Sequence, residues 1–337
     1  MDAFFAAVEI KRHPEFKGKP LVIGGRGDPT QRGVVSTASY EARKFGIHSA
    51  MPLRTAYRLC PEAIFLAVDF EAYERESVKF KAALKEITPI MEDVGIDEVF
   101  SDITELHESS EAIARRLKIA IRTATGLSCS VGIAPNKLLA KIASELNKPD
   151  GLAILTEQDI ETKIWPLPAR KLPGVGPKTE ERLRGMGIET IGDLAKTPLN
   201  TLVNRFGPAH GNYLHLAARG IDESPLITHW EPKSSSREIT FPYDISDRRI
   251  LLKTLKELTA EVVDHVRSEA YRCRTVTVKI RFSDFETHTR EKTLERPTDQ
   301  LQPIESAALN CFSHFVLTKR VRLLGVRLGD LSKSEAD

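Results

Sequence analysis

The chain has 337 residues, of which 41% are hydrophobic and 28% are charged, and its formal net charge is +2. This length is too great for one ordinary core and predicts two or three domains. No apolar run approaches the ~18 residues that span a bilayer, and no basic region followed by an apolar stretch opens the chain. We therefore expect a soluble, multidomain protein that is not exported.

The cysteines indicate the cellular compartment of the protein, and the distribution of charge bears on whether it binds nucleic acid. The four cysteines lie far apart, and no pair has the C-x-x-C spacing of a zinc or redox site. We expect buried thiols in a protein of the reducing cytoplasm. From Lys233 onward the chain carries 19 basic and 16 acidic residues, a weak excess. Any binding of nucleic acid would therefore depend on charges placed on particular faces.

Up to about residue 160 the sequence alternates strands and helices, the pattern of an α/β or α+β protein. The predicted strands are 19–25, 33–39 and 127–133, with a strand–turn–strand over 94–103. The predicted helices are 40–59, broken at Gly46 and Pro52, then 70–91, a helix capped near Ser109 or Ser110, and 137–146.

From Leu167 the sequence changes to short helices punctuated by proline and glycine, which continue to about Ile227. Residues 229–236 are polar and carry a proline and three serines, which predicts a linker. The remaining predicted elements are a helix over 247–269, a strand over 274–282, a helix over 303–317 and a strand over 321–328.

Two adjacent carboxylates, Asp97 and Glu98, lie at the predicted turn within 94–103. Like charges held together raise each other's pKa, and a divalent cation removes that cost. Mg²⁺ takes oxygen ligands, and two such ions ~3.5–4 Å apart serve phosphoryl transfer. The dipeptide alone is also typical of a solvated turn.

Thr37, Tyr40 and Arg43 follow one another at steps of three, from the end of a strand into a helix. Hydroxyls and a guanidinium suit a triphosphate, although an ordinary helix start has the same pattern. Lys148 precedes a proline that stops a helix, where it could reach a phosphate or compensate the carbonyl end of that helix. Taken alone, the residue favours the second role.

The segment Leu172–Thr179 has the form of a helix-hairpin-helix. Gly174 and Gly176 would let the backbone turn tightly, and free N–H groups at the next helix, near Lys178, could hold a DNA phosphate. Such contacts position a duplex without reading its sequence. The alternative is a tight turn between two helices.

Five segments in this order resemble the Y-family translesion DNA polymerases of the DinB type. They are MDAFFAAVE at 1–9, STASYEARKFGI at 36–47, GIDEVFSDIT at 95–104, SVGIAPNKLLAKIASELNKPDG at 130–151 and LPGVGPKT at 172–179. The resemblance covers essentially the whole chain. It implies template-directed addition of deoxynucleotides to a primer 3′ end, at low fidelity and without a proofreading domain.

The resemblance also implies an α+β, multidomain, right-hand architecture. Its palm would comprise 1–10 and 68–160, and its fingers 11–67. A helical thumb with the helix-hairpin-helix would span 161–230, followed by a linker at 231–236 and a DNA-binding little finger at 237–330.

By position, the resemblance assigns roles to single residues. Asp97 would be a metal ligand and Glu98 its catalytic neighbour, with two Mg²⁺ ions as cofactors. The triphosphate would contact Thr37, Tyr40, Arg43 and Lys148. Phe5 would be the steric gate that repels a ribose 2′-hydroxyl, whereas in an isolated apolar strand it would be a core aromatic.

The resemblance further implies partners. These are primer–template DNA and deoxynucleoside triphosphates, bound by a monomer. Lys279 and Arg281 share the polar face of the 274–282 strand, which would lie along the DNA backbone or be solvated surface. A sliding clamp could be a further partner, although the tail Leu331–Asp337 gives no clear motif for it, since it has no glutamine followed by paired apolar residues.

The sequence departs from the family at its start. Members begin with an apolar strand that ends in Asp-x-Asp, and here Met1 matches the middle residue of that triplet and Asp2 the second Asp. Met1 could offer a backbone carbonyl to a metal, and Asp2 could substitute for the first Asp. We expect a misassigned start or a truncation. The alternatives are a catalytically weak DNA-binding relative and a helix-hairpin-helix nuclease, which would not explain Phe5.

Overall fold

The computed structural model describes residues 1–333. The chain forms two compact units, one of residues 1–28 and 33–229, and a second of residues 29–32 and 230 onward. Each unit combines helices with β-sheets, so the α+β prediction is confirmed. None of the helices within 1–333 is long and apolar enough to cross a bilayer.

The first part of unit 1 contains six helices and seven short strands. The helices are α1 Phe4–Arg12, α2 Tyr40–Arg43, α3 Leu53–Leu59, α4 Phe70–Lys85, α5 Ser110–Thr125 and α6 Lys137–Leu146, with a 3₁₀ turn at Pro14–Phe16. The strands are β1 Leu21–Gly24, β2 Val35–Ala38, β3 Ile64–Leu66, β4 Met91–Gly95, β5 Glu98–Ser101, β6 Val131–Ile133 and β7 Leu152–Ile154.

Helix starts in this region follow the capping residues of the sequence. The side chains of Ser39, Asp69, Ser109 and Asn136 each accept a hydrogen bond from a backbone N–H in the first turn of α2, α4, α5 and α6. Such a cap contributes about 1 kcal/mol to a helix. The predicted helix over 137–146 has the observed bounds of α6 because its cap and its apolar stripe agree.

Three sheets lie in this part of unit 1. Strand β1 is central in a three-stranded sheet, antiparallel to β2 and parallel to β3. Strands β4 and β5 form an antiparallel hairpin, and β6 and β7 form a separate parallel pair. A cavity of about 210 Å³ is lined by residues of β5, β6, α4, α5 and α6.

Several predictions for this region differ from the structure. The apolar stretch at 1–10 is not a strand, since Phe4–Arg12 form α1. The helix predicted over 70–91 ends at Lys85, and Met91 instead begins β4. The short strands β3 and β7 were not predicted, because three residues give no readable alternation.

Residues 160–222 complete unit 1 as a small helical layer. It contains a π-helical turn at Ile160–Ile164, a 3₁₀ turn at Ala169–Lys171, α7 Pro177–Arg184, α8 Ile191–Lys196, α9 Leu199–Phe206 and α10 Pro208–Ala217. Their buried side chains share one core with α6, so this layer packs directly on that helix.

Unit 2 is one antiparallel sheet covered by two helices. Its elements are β8 Ser234–Ile245, α11 Arg248–Ser268, β9 Tyr271–Phe282, β10 Thr287–Thr298, α12 Leu301–Ser313, β11 Val321–Gly329 and β12 Ser332–Lys333. The strand order is β10-β9-β11-β8, with β12 paired to β9. The apolar stripe predicted for α11 is buried against Val276, Val278 and Ile280 of β9.

Two predictions for unit 2 need correction. The linker predicted over 231–236 is too long, because β8 begins at Ser234 and pairs with β11 through its serines. Strand β10 was not predicted, since its polar sequence occupies an exposed sheet edge and offers no apolar alternation. Of the tail discussed for clamp binding, residues 334–337 lie outside the described residues.

Candidate active site

A cleft of about 260 Å³ in unit 1 brings together six of the nine residues that the sequence singled out for the metal, the triphosphate and the sugar. It is lined by Met1 and Phe5 from the start of the chain, Thr37 from β2, Arg43 from α2, Asp97 from the β4–β5 turn, and Lys148. These residues are up to 147 positions apart in the sequence, yet they line one cleft that is large enough for a small molecule. Carboxylate, guanidinium, ammonium and aromatic groups therefore converge there.

The two adjacent carboxylates have different surroundings. The Met1 backbone nitrogen donates to the Asp97 carbonyl at 2.7 Å, which fixes the turn. The Glu98 carboxylate forms an ion pair with Lys141 of α6 at 3.0 Å. Burial opposes protonation of Lys141, but the bond to Glu98 and the charges of Glu98 and Glu145 together outweigh it and raise the pKa of the lysine.

The donor set at this turn fits a hard divalent cation. Asp97 and Glu98 offer carboxylate oxygens, and among residues 1–333 no ion pair or hydrogen bond occupies the Asp97 side chain. Oxygen donors of this kind, completed by water and substrate phosphates, suit Mg²⁺. No cluster of three or more His, Cys, Asp or Glu side chains with metal-binding geometry occurs within the described part of the chain.

The residues of α2 are arranged around a buried hydroxyl. Arg43 donates through Nε to the Ala38 carbonyl at 3.0 Å, and its guanidinium lies 4.8 Å from the centre of the Tyr40 ring. The Tyr40 hydroxyl is buried, and within 1–333 it has no hydrogen-bond partner. Burial, followed by the nearby Asp2 charge, raises the pKa of Tyr40 to about 12. The group therefore remains a protonated donor at neutral pH.

Asp2 has a structural role, which corrects its assignment as a metal ligand. Its side chain is 2% exposed. Its two carboxylate oxygens accept from the Ser130 hydroxyl at 2.7 Å and from the Asp150 backbone N–H at 2.9 Å. Because both oxygens accept hydrogen bonds and the side chain is buried, Asp2 fixes the turn that follows Lys148.

Lys148 lies both at a helix end and in the cleft. Its ammonium group donates to Glu145 of α6 at 2.6 Å, one helical turn earlier. The same side chain lines the cleft beside Asp97. The two roles considered for this lysine are therefore compatible, because a small rotation away from Glu145 would direct its charge towards a phosphate.

Phe5 projects from α1 into an aromatic cluster at the cleft wall. Its ring stacks on Tyr73 of α4, with centroids 4.1 Å apart and planes 11° from parallel. Phe70 packs edge-on against it at 5.9 Å. Phe5 is therefore a partly exposed aromatic of a helix, and not the core residue of a strand that its apolar neighbours indicated.

The proposed hairpin at 172–176 differs in detail from a helix-hairpin-helix, because only a three-residue 3₁₀ turn precedes it. Gly174 has φ +81°, and the Tyr213 ring would lie 2.9 Å from a Cβ at that position. Gly176 has an ordinary φ of −84°, and a Cβ there would meet nothing. Gly176 and Lys178 are exposed at the start of α7, so only Gly174 is required by the turn itself.

In unit 2, Lys279 and Arg281 lie on the face of β9 opposite the two covering helices. Both are partly buried and both are engaged. Lys279 pairs with Glu238 at 2.8 Å, and Arg281 donates to the Thr287 hydroxyl at 2.8 Å. The predicted outward face is not wholly solvated, since Thr275 and Thr277 on it are only 5% and 8% exposed.

Sequence reasoning missed two residues beside the cleft. Lys141 pairs with Glu98, and Tyr73 stacks on Phe5. Neither has a local signal, since each is one residue of an amphipathic helix and its role depends on which strand or helix packs against it. The spacing of Phe5, Glu9 and Arg12 on one face of α1 was readable but was not connected with α4.

Comparison with known families agrees with this arrangement of a cleft, a helical layer and a separate sheet unit. The impB/mucB/samB family matches residues 1–145, and the C-terminal domain of the same family matches 232–337. Between them, residues 170–222 match a thumb domain described as that of DNA polymerase-iota. The three matches follow one another along the chain as an impB/mucB/samB region, a thumb domain and a C-terminal domain.

Individual relatives match over nearly the full chain. "DNA polymerase IV" of Methanoculleus marisnigri is 43% identical over 98% of this chain and 92% of its own length. "DNA polymerase IV" of Streptomyces coelicolor is 41% identical over 98% of this chain and 70% of its own length. The chain belongs to the Y family of DNA polymerases, in its DinB-type, impB/mucB/samB branch.

Solved structures of this family have the same fold. A "Y-family DNA polymerase chimera Dbh-Dpo4(243-245)-Dbh" superposes with a TM-score of 0.87, at 28% identity over 99% of this chain and 98% of its own. DinB from Sulfolobus solfataricus superposes with a TM-score of 0.67, at 28% identity over the same shares of the two chains. The right-hand polymerase architecture expected from the sequence is confirmed.

Proposed function

We propose that this chain is a template-directed, lesion-bypass DNA polymerase whose nucleotidyl-transfer site is the cleft between Phe5, Thr37, Arg43, Asp97 and Lys148. The observation that carries this proposal is the convergence of these five side chains on one 260 Å³ volume in a chain of this family. It is a DNA-directed DNA polymerase that acts on primer–template DNA and deoxynucleoside triphosphates.

Within the cleft, cationic groups would hold the triphosphate. Arg43 can donate to phosphate oxygens in a fork, Thr37 adds a hydroxyl, and Lys148 adds a point charge. The orphaned Tyr40 hydroxyl gains an acceptor when a phosphate enters. Phe5 would lie under the sugar, where its ring leaves no room for a 2′-hydroxyl.

Asp97 and Glu98 would hold the divalent cations that this family uses, and Met1 could add its backbone carbonyl. We propose Mg²⁺ as the metal and two as the number of ions, because the ligands are hard oxygen donors. Such ions supply positive charge to the attacking and leaving oxygens. Before loading, Lys141 neutralises Glu98 and so lowers the cost of keeping two carboxylates adjacent.

The regional assignments remain proposals. We assign the palm to 1–10 and 68–160, the fingers to 11–67, the thumb to 161–230 and the little finger to 237–330, with a linker shortened to 231–233 by the start of β8. DNA contacts are proposed for Gly174, Gly176 and Lys178 in the thumb, and for Lys279 and Arg281 in the little finger. We propose a cytoplasmic monomer, in keeping with four free, buried cysteines.

Single-nucleotide incorporation tests the proposal. Four primer–templates that differ only in the templating base are each incubated with the chain, Mg²⁺ and one deoxynucleotide at a time. We expect the complementary nucleotide to be added on every template. Binding of the primer–template without addition, in either Mg²⁺ or Mn²⁺, would contradict the proposal and support a DNA-binding relative instead. Strand cleavage in the same assay would support the nuclease.

A further inference from the structure

A buried polar network lies behind the aromatic wall of the cleft. Glu9 of α1 is 4% exposed, and Tyr73 of α4 is 0% exposed. The Tyr73 hydroxyl donates to Glu9 Oε1 at 2.9 Å, and Arg12 donates to the same oxygen at 3.0 Å. Arg12 also pairs with Asp69 at 2.9 Å. The network therefore runs from the surface at Asp69 to the ring that stacks on Phe5.

Helix geometry explains why these groups meet. Phe5, Glu9 and Arg12 are spaced four and three residues apart, so they lie on one face of α1. On α4, Asp69 is the N-cap and Tyr73 lies one turn later. The two helices thus pair in register, Phe5 and Glu9 with Tyr73, and Arg12 with Asp69.

A buried carboxylate is costly unless its charge is compensated. Glu9 is compensated by one guanidinium and one phenol, and loss of either would leave a poorly solvated charge. Burial, with the hydrogen bond to Glu9, raises the pKa of Tyr73, so its phenol stays a donor. The network therefore holds the Tyr73 ring in one orientation.

The Tyr73 ring in turn determines the plane of the Phe5 ring. The two rings stack with 11° between their planes, and Phe70 closes the edge. A group that acts by steric repulsion must be held to within about 0.5 Å to discriminate between two sugars that differ by one oxygen. Phe5 is only partly buried, so its own helix does not provide that precision.

We propose that Glu9 and Tyr73 are positioning residues for sugar discrimination, acting through the orientation of the Phe5 ring. This inference rests on the proposed function, in which Phe5 contacts the sugar. Glu9 touches neither substrate nor metal in this account. Its effect would be on the choice between ribonucleotide and deoxynucleotide, and not on the chemical step.

The test compares Glu9→Gln and Tyr73→Phe with the parent chain. Each variant keeps the shape of its side chain and weakens or removes the Tyr73–Glu9 bond. The measured quantity is the ratio of kcat/KM for a deoxynucleotide to that for the matching ribonucleotide. A second quantity, the ratio of the Kd values of the two nucleotides, is measured by equilibrium binding to a dideoxy-terminated primer–template, which does not require turnover. We expect the ratio to fall about tenfold in both variants.

Glu76→Gln is the matched control. Glu76 is a second buried carboxylate, on α4 and 8% exposed, whose ion pairs and hydrogen bonds in the described part of the chain go to Lys11 and Lys79 and not to Tyr73. A network with a purely structural role would give equal losses of stability in Glu9→Gln and Glu76→Gln, with the sugar ratio unchanged in both. We expect the ratio to change only in Glu9→Gln.

Phe5→Ala distinguishes a failure of the proposed steric gate from a failure of the proposed positioning role. If Phe5→Ala leaves the sugar ratio at the parental value, the steric gate itself is wrong. If Phe5→Ala lowers the ratio and Glu9→Gln and Tyr73→Phe do not, the gate stands and the positioning role is overturned. In the double variant Phe5→Ala with Glu9→Gln, we expect no loss of the ratio beyond that of Phe5→Ala alone.

Discussion

At the level of single residues, the two carboxylates of the β4–β5 turn differ in what holds them. Glu98 is paired with Lys141, whereas the Asp97 side chain faces the cleft. Both carboxylates are required in our account because charge held on the metals stabilises the transition state. In the same account the DNA is held by the proposed thumb and little finger.

Asp97→Asn and Glu98→Gln should each slow primer extension by roughly a thousandfold. Primer–template affinity should remain near the parental value, as measured by fluorescence titration. Asp93→Asn is the control, since Asp93 is an exposed carboxylate of β4 that pairs with Lys81 away from the cleft. Extension at a near-parental rate by either site variant would show that the ligands are elsewhere.

Replacing Tyr40 with Phe should have opposite effects on the stability of the chain and on its affinity for the nucleotide. Its buried hydroxyl lacks a partner within 1–333, so Tyr40→Phe should raise the free energy of unfolding by up to about 1 kcal/mol. The same change removes a donor to the triphosphate, so the Kd of the templated nucleotide should rise about five- to tenfold. Urea unfolding and nucleotide titration measure the two effects.

Tyr57→Phe serves as the control for Tyr40, because Tyr57 lies on α3, is 44% exposed and packs against Phe65. Neither the free energy of unfolding nor the Kd of the templated nucleotide should change in Tyr57→Phe. Unaltered nucleotide affinity in Tyr40→Phe would mean that the hydroxyl stays unpartnered when substrate binds, and that Tyr40 is not a triphosphate contact.

At the level of secondary-structure elements, the two glycines of the 172–176 turn should separate folding from DNA binding. Gly174→Ala places a Cβ in left-handed backbone and against Tyr213, so it should cost about 1–2 kcal/mol of stability. Gly176→Ala meets open space and should leave stability unchanged. Its methyl group would, however, hinder a phosphate at the start of α7 and weaken duplex binding roughly fivefold.

Urea unfolding and a duplex titration on both glycine variants measure these effects. Gly174→Ala shows the effect of a steric clash in the turn on the stability of the chain without DNA. Gly176→Ala tests the DNA contact. If Gly176→Ala binds duplex with parental affinity, the turn is simply a connection between helices and the phosphate contact is absent.

The sheet of unit 2 makes a prediction about salt dependence. Changing Lys279 and Arg281 together to Ala should weaken primer–template binding similarly for all sequences. It should also flatten the slope of log affinity against log salt by roughly 0.9 for each phosphate that the variant no longer neutralises. Stability should change little because the side chains are partly solvated.

The matched control is Arg249→Ala with Lys253→Ala, which removes two exposed charges from α11, on the opposite side of the unit 2 sheet. That variant should keep the parental salt slope. If the Lys279 and Arg281 variant also keeps it, the two cations serve only their partners Glu238 and Thr287, and the DNA lies along another surface.

The helices and strands differ in how closely they could be predicted from the sequence. Helices α6 and α11 were predicted closely because their caps, stripes and ends are all local features. Helix α1 was not, because an unbroken apolar run has no period that separates helix from strand. Strands β8 and β10 were missed because their partners, and not their own residues, make them strands.

For the site, the sequence indicated which residues carry chemistry but not how they are held. Asp97, Thr37 and Arg43 were identified from motif and resemblance, and the structure brings them to one cleft. The burial and hydrogen bonds of Asp2 argue against its predicted role as a metal ligand, and its partners, Ser130 and Asp150, are distant in sequence. Only tertiary packing reveals that both of its oxygens are engaged.

At the level of the whole molecule, the chain is a translesion polymerase of its family, and low fidelity is part of that function. In our proposal the named contacts of the cleft engage the triphosphate and the sugar, which would leave little geometric control over the templating base. The family matches cover an impB/mucB/samB region, a thumb domain and a C-terminal domain. We therefore expect extension past damaged positions and tolerance of a mispaired primer end.

Primer extension on a damaged template tests whether the chain is a translesion polymerase. The chain is supplied with Mg²⁺, all four deoxynucleotides and a template carrying an abasic site, and the primer is offered with a paired or a mispaired 3′ end. We predict extension beyond the lesion from the paired primer, and retention of the mispaired nucleotide in every product. Complete arrest before the abasic site, or removal of the mispaired nucleotide, would contradict the account.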